Sequence, residues 1–115
     1  MLNKKKPEKI GLFIPAGTHQ SGNISIEGAI RIDGSFSGSA YCESSLRIGK
    51  TGTFTGEADV AHADISGSFK GNLMVRERFS LSKTGRFSGL LDAKLASMEI
   101  GSRFEGEVRV KGRQT

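Results

Sequence analysis

The chain has 115 residues, 16 of them Gly against 2 Pro, with 36% hydrophobic residues and a formal net charge of +5. Gly is roughly double its usual share of about 7%, yet Pro is too scarce and the glycines too irregular for a collagen triple helix. The apolar content is high enough to build a core, which argues against disorder. A single cysteine provides no disulfide framework and points to a reducing compartment. No apolar run approaches the roughly 18 residues of a membrane span, so the expected location is cytoplasmic.

From the N-terminus, the first ten residues hold Lys4, Lys5, Lys6 and Lys9 against Glu8, and they begin with the apolar pair Met1-Leu2. They resemble the basic part of a secretion signal but lack the apolar stretch that should follow. Residues 1–15 therefore read as a basic N-terminal arm. At the other end, 111–115 form a short tail carrying Lys111 and Arg113. Between the tails, residues 11–110 contain eleven basic and eleven acidic residues. A nucleic-acid binder should carry its excess charge as a stripe on the folded body, so no nucleic-acid partner is expected.

The body, 16–110, is a repeat. Gly-x-Phe-x-Gly recurs as Gly34–Gly38, Gly52–Gly56, Gly67–Gly71 and Gly85–Gly89. A fifth copy is looser, with Ser102-Arg103 between Gly101 and Phe104. Successive Phe residues lie 18, 15, 18 and 17 positions apart. Between them, apolar residues come in pairs two apart, the spacing of a strand with one face inward. The pairs run Ile24/Ile26, Ile30/Ile32, Ala40/Cys42, Leu46/Ile48, Ala58/Val60, Ala63/Ile65, Leu73/Val75, Phe79/Leu81, Leu91/Ala93 and Met98/Ile100. No stretch sustains a 3.6-residue period.

Three short strands per repeat, separated by Gly- or Ser-bearing corners, cannot bury their single apolar face in a flat sheet. Coiled into a three-sided solenoid they can, because each side chain then stacks on its equivalent one winding away. The expected fold is an all-β, single-domain parallel β-helix of five to six windings, with Phe36, Phe54, Phe69 and Phe87 as its structural core. The irregular period and the general preference for right-handed parallel crossovers favour a right-handed coil. Residues 10–14 would either cover the N-terminal end or form a partial first winding.

These residues give the chain a resemblance to the bactofilins. It rests on the Gly-x-Phe-x-Gly corners, the lead-in Ile24–Asp33 running into Gly34, and the basic arm. The resemblance implies a bacterial cytoskeletal polymer that assembles end to end without nucleotide. It also implies membrane association and scaffolding of cell-wall or morphogenetic enzymes. The expected partners are thus copies of the chain itself, the inner membrane surface and such enzymes.

The sequence offers little chemistry. His19 and His62 are the only histidines, and Cys42 falls on an inward position, so no metal site is expected. Gly34–Gly38 lacks the Lys-[Ser/Thr] and helix of a phosphate-binding loop. No catalytic residue and no cofactor are therefore assigned. The open ends of the solenoid are more informative, because solenoids that stay monomeric need polar caps and uncovered edges pair with further strand. No amphipathic helix is visible at either terminus. The expected polymer interface is Ile24, Ile26, Phe104, Val108 and Val110. Met1, Leu2, Lys4, Lys5 and Lys6 form the expected membrane contact. Two other readings are a non-polymerising β-helical binding module, similar to the C-terminal domain of the septum-site division inhibitor, and an enzyme of the left-handed hexapeptide class. All three sides of the coil read as carrying mixed charge, leaving the partner-binding side open.

Overall fold

A computed structural model describes residues 10–110. It contains eight strands: β1 (Ile10–Ile14), β2 (His19–Ile26), β3 (Ala29–Ile32), β4 (Ser35–Ile48), β5 (Thr53–Ile65), β6 (Ser68–Leu81), β7 (Arg86–Met98) and β8 (Arg103–Val110). Every pairing between them is parallel. They stack as a β-solenoid of about six turns.

Each central winding is one long strand, 13 or 14 residues from β4 to β7, where three short strands were expected. The reason lies in the register. Every winding bends at the same positions, so ladder hydrogen bonds to its neighbours continue through the first bend. The columns Phe36–Phe54–Phe69–Phe87–Phe104 and Gly38–Gly56–Gly71–Gly89–Gly106 run in strict alignment. These glycines, with Gly22 ahead of them, hold φ between +126° and +133°, a conformation that L side chains rarely adopt. They make the first corner. An irregular step in the register makes the second, as between Cys42 and Ser45 or Val75 and Arg78. A turn makes the third, closed by hydrogen bonds such as Gly52 N–H to Gly49 O at 2.8 Å and Gly85 N–H to Ser82 O at 2.8 Å.

The uneven period follows from these corners. The first never changes length. Relative to the winding of β4, that of β5 has one residue fewer at its second corner, Ala61 replacing Glu43-Ser44. At its third corner it has only Ser66-Gly67 in place of the four residues Gly49–Gly52. Those three residues convert a spacing of 18 into 15. The spacing of 17 before Phe104 comes from a single-residue second corner at Lys94. The fifth Phe copy is therefore not expanded: Ser102 stands where Gly85 stands one winding earlier. Its N–H likewise closes a turn, onto Glu99 O at 3.1 Å.

This register corrects one inward pair. Ala96 and Met98 continue the columns of Phe79 and Leu81. Ile100, expected to point inward, lies in the turn and is 97% exposed. The other pairs from Ile30 to Ala93 are buried, and among the described residues no polar side chain is buried with them. Phe36, Phe54, Phe69 and Phe87 stack face to face at 4.9–5.2 Å between ring centroids, and Phe104 extends the stack at 4.9 Å from Phe87.

Residues 10–14 form a partial first winding. β1 pairs with β3, Leu12 against Ile30 and Ile14 against Ile32, and Ile14 is buried. This strand lies inside the stretch assigned to the arm, so the solenoid begins ahead of residue 16.

Candidate functional site: the two ends and the sides of the solenoid

The three sides can be named by β4: a first side at Ser35–Ser37, a second at Ser39–Cys42 and a third at Ser45–Ile48. At the N-terminal end the outermost strands are β2 on the first two sides and β1 on the third. At the C-terminal end β8 covers the first two sides, and the third stops one rung earlier at Leu95–Met98. Both ends therefore present strand edges with no further rung among the described residues, and no helix covers them.

The interface residues expected from the sequence fall on these end rungs. Ile24 and Ile26 lie on β2, half-buried against the core. Phe104 on β8 is half-buried, with one ring face on Phe87. Val108 and Val110 are exposed. Sequence reasoning overlooked the rest of the surface: exposed Phe13 at the N-terminal end, and exposed Leu95 and Met98 at the other. For Leu95 and Met98 the signal that could have found them is corner length, the single residue Lys94 before Leu95 and the four-residue turn after Met98. Met1, Leu2, Lys4, Lys5 and Lys6 lie outside the described residues.

The ends differ chemically. In the aromatic column the N-terminal position belongs to Gln20, paired with Phe36. Phe104 occupies the C-terminal one. One end thus offers an amide where the other offers an unstacked ring face.

The sides carry no reactive constellation. Among the described residues no group of three or more His, Cys, Asp or Glu side chains could hold a metal ion. His62 is exposed. Cys42 is buried, and its thiol donates to the Gly28 carbonyl at 3.0 Å. On the second side a charged side-chain tie crosses the windings. The Arg76 guanidinium donates to Asp59 at 2.6 Å and to the Cys42 carbonyl at 2.8 Å, and it sits 5.1 Å from the Tyr41 ring centroid. No helix among the described residues is long and apolar enough to cross a membrane.

A parallel β-solenoid with stacked aromatic and glycine columns, and with strand edges at both ends that no described residue covers, belongs to the class of proteins that can extend by adding further windings. The family comparison identifies the class more closely. Residues 12–109 match the bactofilin model, described as "Polymer-forming cytoskeletal", and the chain belongs to that family. The family is a structural, cytoskeletal one whose members form homopolymers. Comparisons with curated proteins and with solved structures returned no match.

Proposed function

We propose that this chain builds filaments by end-to-end stacking of its solenoid, without nucleotide, and that the filament lines the cytoplasmic face of the inner membrane as a scaffold for cell-shape or cell-wall machinery. The observation that carries the assembly step is the pair of ends that no described residue covers. Each combines unpaired strand edge with apolar surface: Ile24, Ile26 and Phe13 at one, Phe104, Val108, Val110, Leu95 and Met98 at the other. Burying both against a second copy removes apolar area from water and completes ladder hydrogen bonds in one step.

The membrane role rests on the arm. Met1 and Leu2 beside Lys4, Lys5 and Lys6 combine a small apolar tip with positive charge. Each lysine near an anionic leaflet contributes about 1 kcal/mol, which is weak for one molecule. Many arms on one filament act together.

The test is negative-stain electron microscopy of the purified protein without nucleotide or metal, alongside Phe104→Arg. The wild type should form filaments. The variant should give short particles with an unchanged β-type circular dichroism spectrum, because Phe104 is packed against a winding on one side only. Filaments of wild-type length from the variant would remove Phe104 from the interface, and dispersed wild-type particles at every salt concentration would reject assembly.

A further inference from the structure

The sides of the solenoid are not alike in charge, contrary to the mixed pattern read along the sequence. On the second side the outward positions form two columns: Ser39–Glu57–Asn72–Leu90–Glu107 and Tyr41–Asp59–Met74–Asp92–Arg109. Four acids thus face one arginine. The corner beyond carries Glu27, Glu43 and Glu77 against Arg76 and Lys94. The other two sides lean basic. The first presents Lys70, Arg86 and Arg103 against Glu105, and the third Arg31, Arg47 and Arg78 against Asp64.

Apolar exposure sorts the same way. Away from the end rungs and the last turn, where Ile100 lies, the exposed large hydrophobic residues are Tyr41 at 40%, Met74 at 52% and Leu90 at 36%, all on the second side. Met74 stands between two shallow depressions of about 400 and 330 Å³, one toward Asp92 and Ala93, the other toward Ser39 and Glu57. Arg76 fixes one margin of this surface by pairing Asp59 and lying over Tyr41. Glu57, Asp92 and Glu107 have no ion-pair partner among the described residues.

We propose that this second side is the docking surface for a partner segment that is both basic and apolar, seated with an apolar side chain on each flank of Met74 and lysines or arginines over Glu57, Asp92 and Glu107. The inference rests on the scaffold reading and specifies the chemistry of its client. Charge complementarity selects a basic occupant. The apolar residues select against a second copy lying alongside: its basic first and third sides offer Ser, Thr and Arg to Tyr41, Met74 and Leu90, with no exposed large hydrophobic residue away from their end rungs. A cytoplasmic segment next to a membrane span has the required composition, because such segments are enriched in Lys and Arg beside apolar residues.

The test titrates three labelled twelve-residue peptides, alternating Lys/Leu, Lys/Ser and Glu/Leu, against the full-length chain by fluorescence anisotropy. Filament mass is measured in the same samples by sedimentation and microscopy. Lys/Leu should bind, Lys/Ser at least about fivefold more weakly, and Glu/Leu not detectably. Met74→Ser should weaken Lys/Leu binding about fivefold. The double variant Glu57→Lys, Asp92→Lys should weaken it about tenfold or more, with most of the difference lost in high salt. All three substitutions are at outward positions, so filaments should persist in both variants. Lys/Leu binding that both variants leave unchanged would overturn the assignment. So would equal binding of Lys/Leu and Lys/Ser, which describes counter-ion attraction alone. Loss of lateral filament bundling in the double variant, without loss of peptide binding, would assign the side to a second copy. Loss of filaments from the wild type with peptide binding intact would refute assembly and leave the docking surface standing.

Discussion

The glycine column permits a sharp test of what holds the windings together. A Cβ at Gly71 would run into the carbonyl oxygen of Gly56 and lie 2.9 Å from its carbonyl carbon. Both are backbone atoms locked in the ladder, so neither can give way. Gly22 has almost the same φ, +127° against +128°, but nothing lies within 4 Å of its Cβ position because it stands at the end of the column. Alanine at either site incurs the conformational cost of the left-handed region, about 1–2 kcal/mol. Only at Gly71 does it also incur overpacking, about 1–3 kcal/mol. Gly71→Ala should therefore cost about 3 kcal/mol, and Gly22→Ala about half that. The assay is thermal unfolding by circular dichroism, at a concentration where sedimentation detects no polymer. The expected fall in Tm is on the order of 10–15 °C for Gly71→Ala. Equal losses at the two sites would show that φ alone requires glycine and that winding-to-winding contact is not the constraint.

Three further outcomes are expected. Phe69→Ala removes the middle of a stack with neighbours at 4.9 and 5.2 Å and should cost about 3–5 kcal/mol in urea unfolding; Phe69→Leu should cost much less. Inserting Lys-Thr between Ser66 and Gly67 converts the two-residue corner into the Ser-Lys-Thr-Gly turn already present at Ser82–Gly85. It should leave Tm within a few degrees of the parent, whereas one residue inserted after Phe69 reverses every later side chain of that strand and should prevent folding. Deleting residues 2–6 should abolish co-sedimentation of filaments with anionic vesicles while leaving filament length unchanged. Undiminished vesicle binding would rule out the arm as the membrane contact.

What the sequence revealed depended on how strictly the fold constrains each position. The Phe and Gly columns were legible because every winding needs the same residue at the same place, where a Cβ or a smaller ring would be felt at once. The inward pairs were legible for the same reason as far as Ala93. Beyond it the reading slipped to Ile100, because Met98 and Ile100 also lie two apart and alternation alone cannot separate a strand from the turn after it. The length of the strands was misread because Gly38 and its equivalents look like breaks, although the ladder continues through them. The surface of the second side was not legible at all. Glu57, Asp59 and Asp92 become neighbours of Met74 and Leu90 only when windings of 18, 15 and 18 residues are set in register, and nothing inside one winding demands those residue types.

The aromatic column runs from Gln20 to Phe104, so the molecule has a polar head and an aromatic foot. If copies join like end to like end, the filament contains two kinds of joint of unequal strength, ring against ring and amide against amide. The stronger closes first, the chain dimerises before it elongates, and dimers become the unit of growth. Severing and exchange then concentrate at the weaker joints, and fragments carry an even number of subunits. If unlike ends meet, every joint pairs an amide with a ring, and growth proceeds one subunit at a time. The parity of short oligomers, counted by native mass spectrometry early in assembly, thus reads out how the filament is built from a single difference between residues 20 and 104.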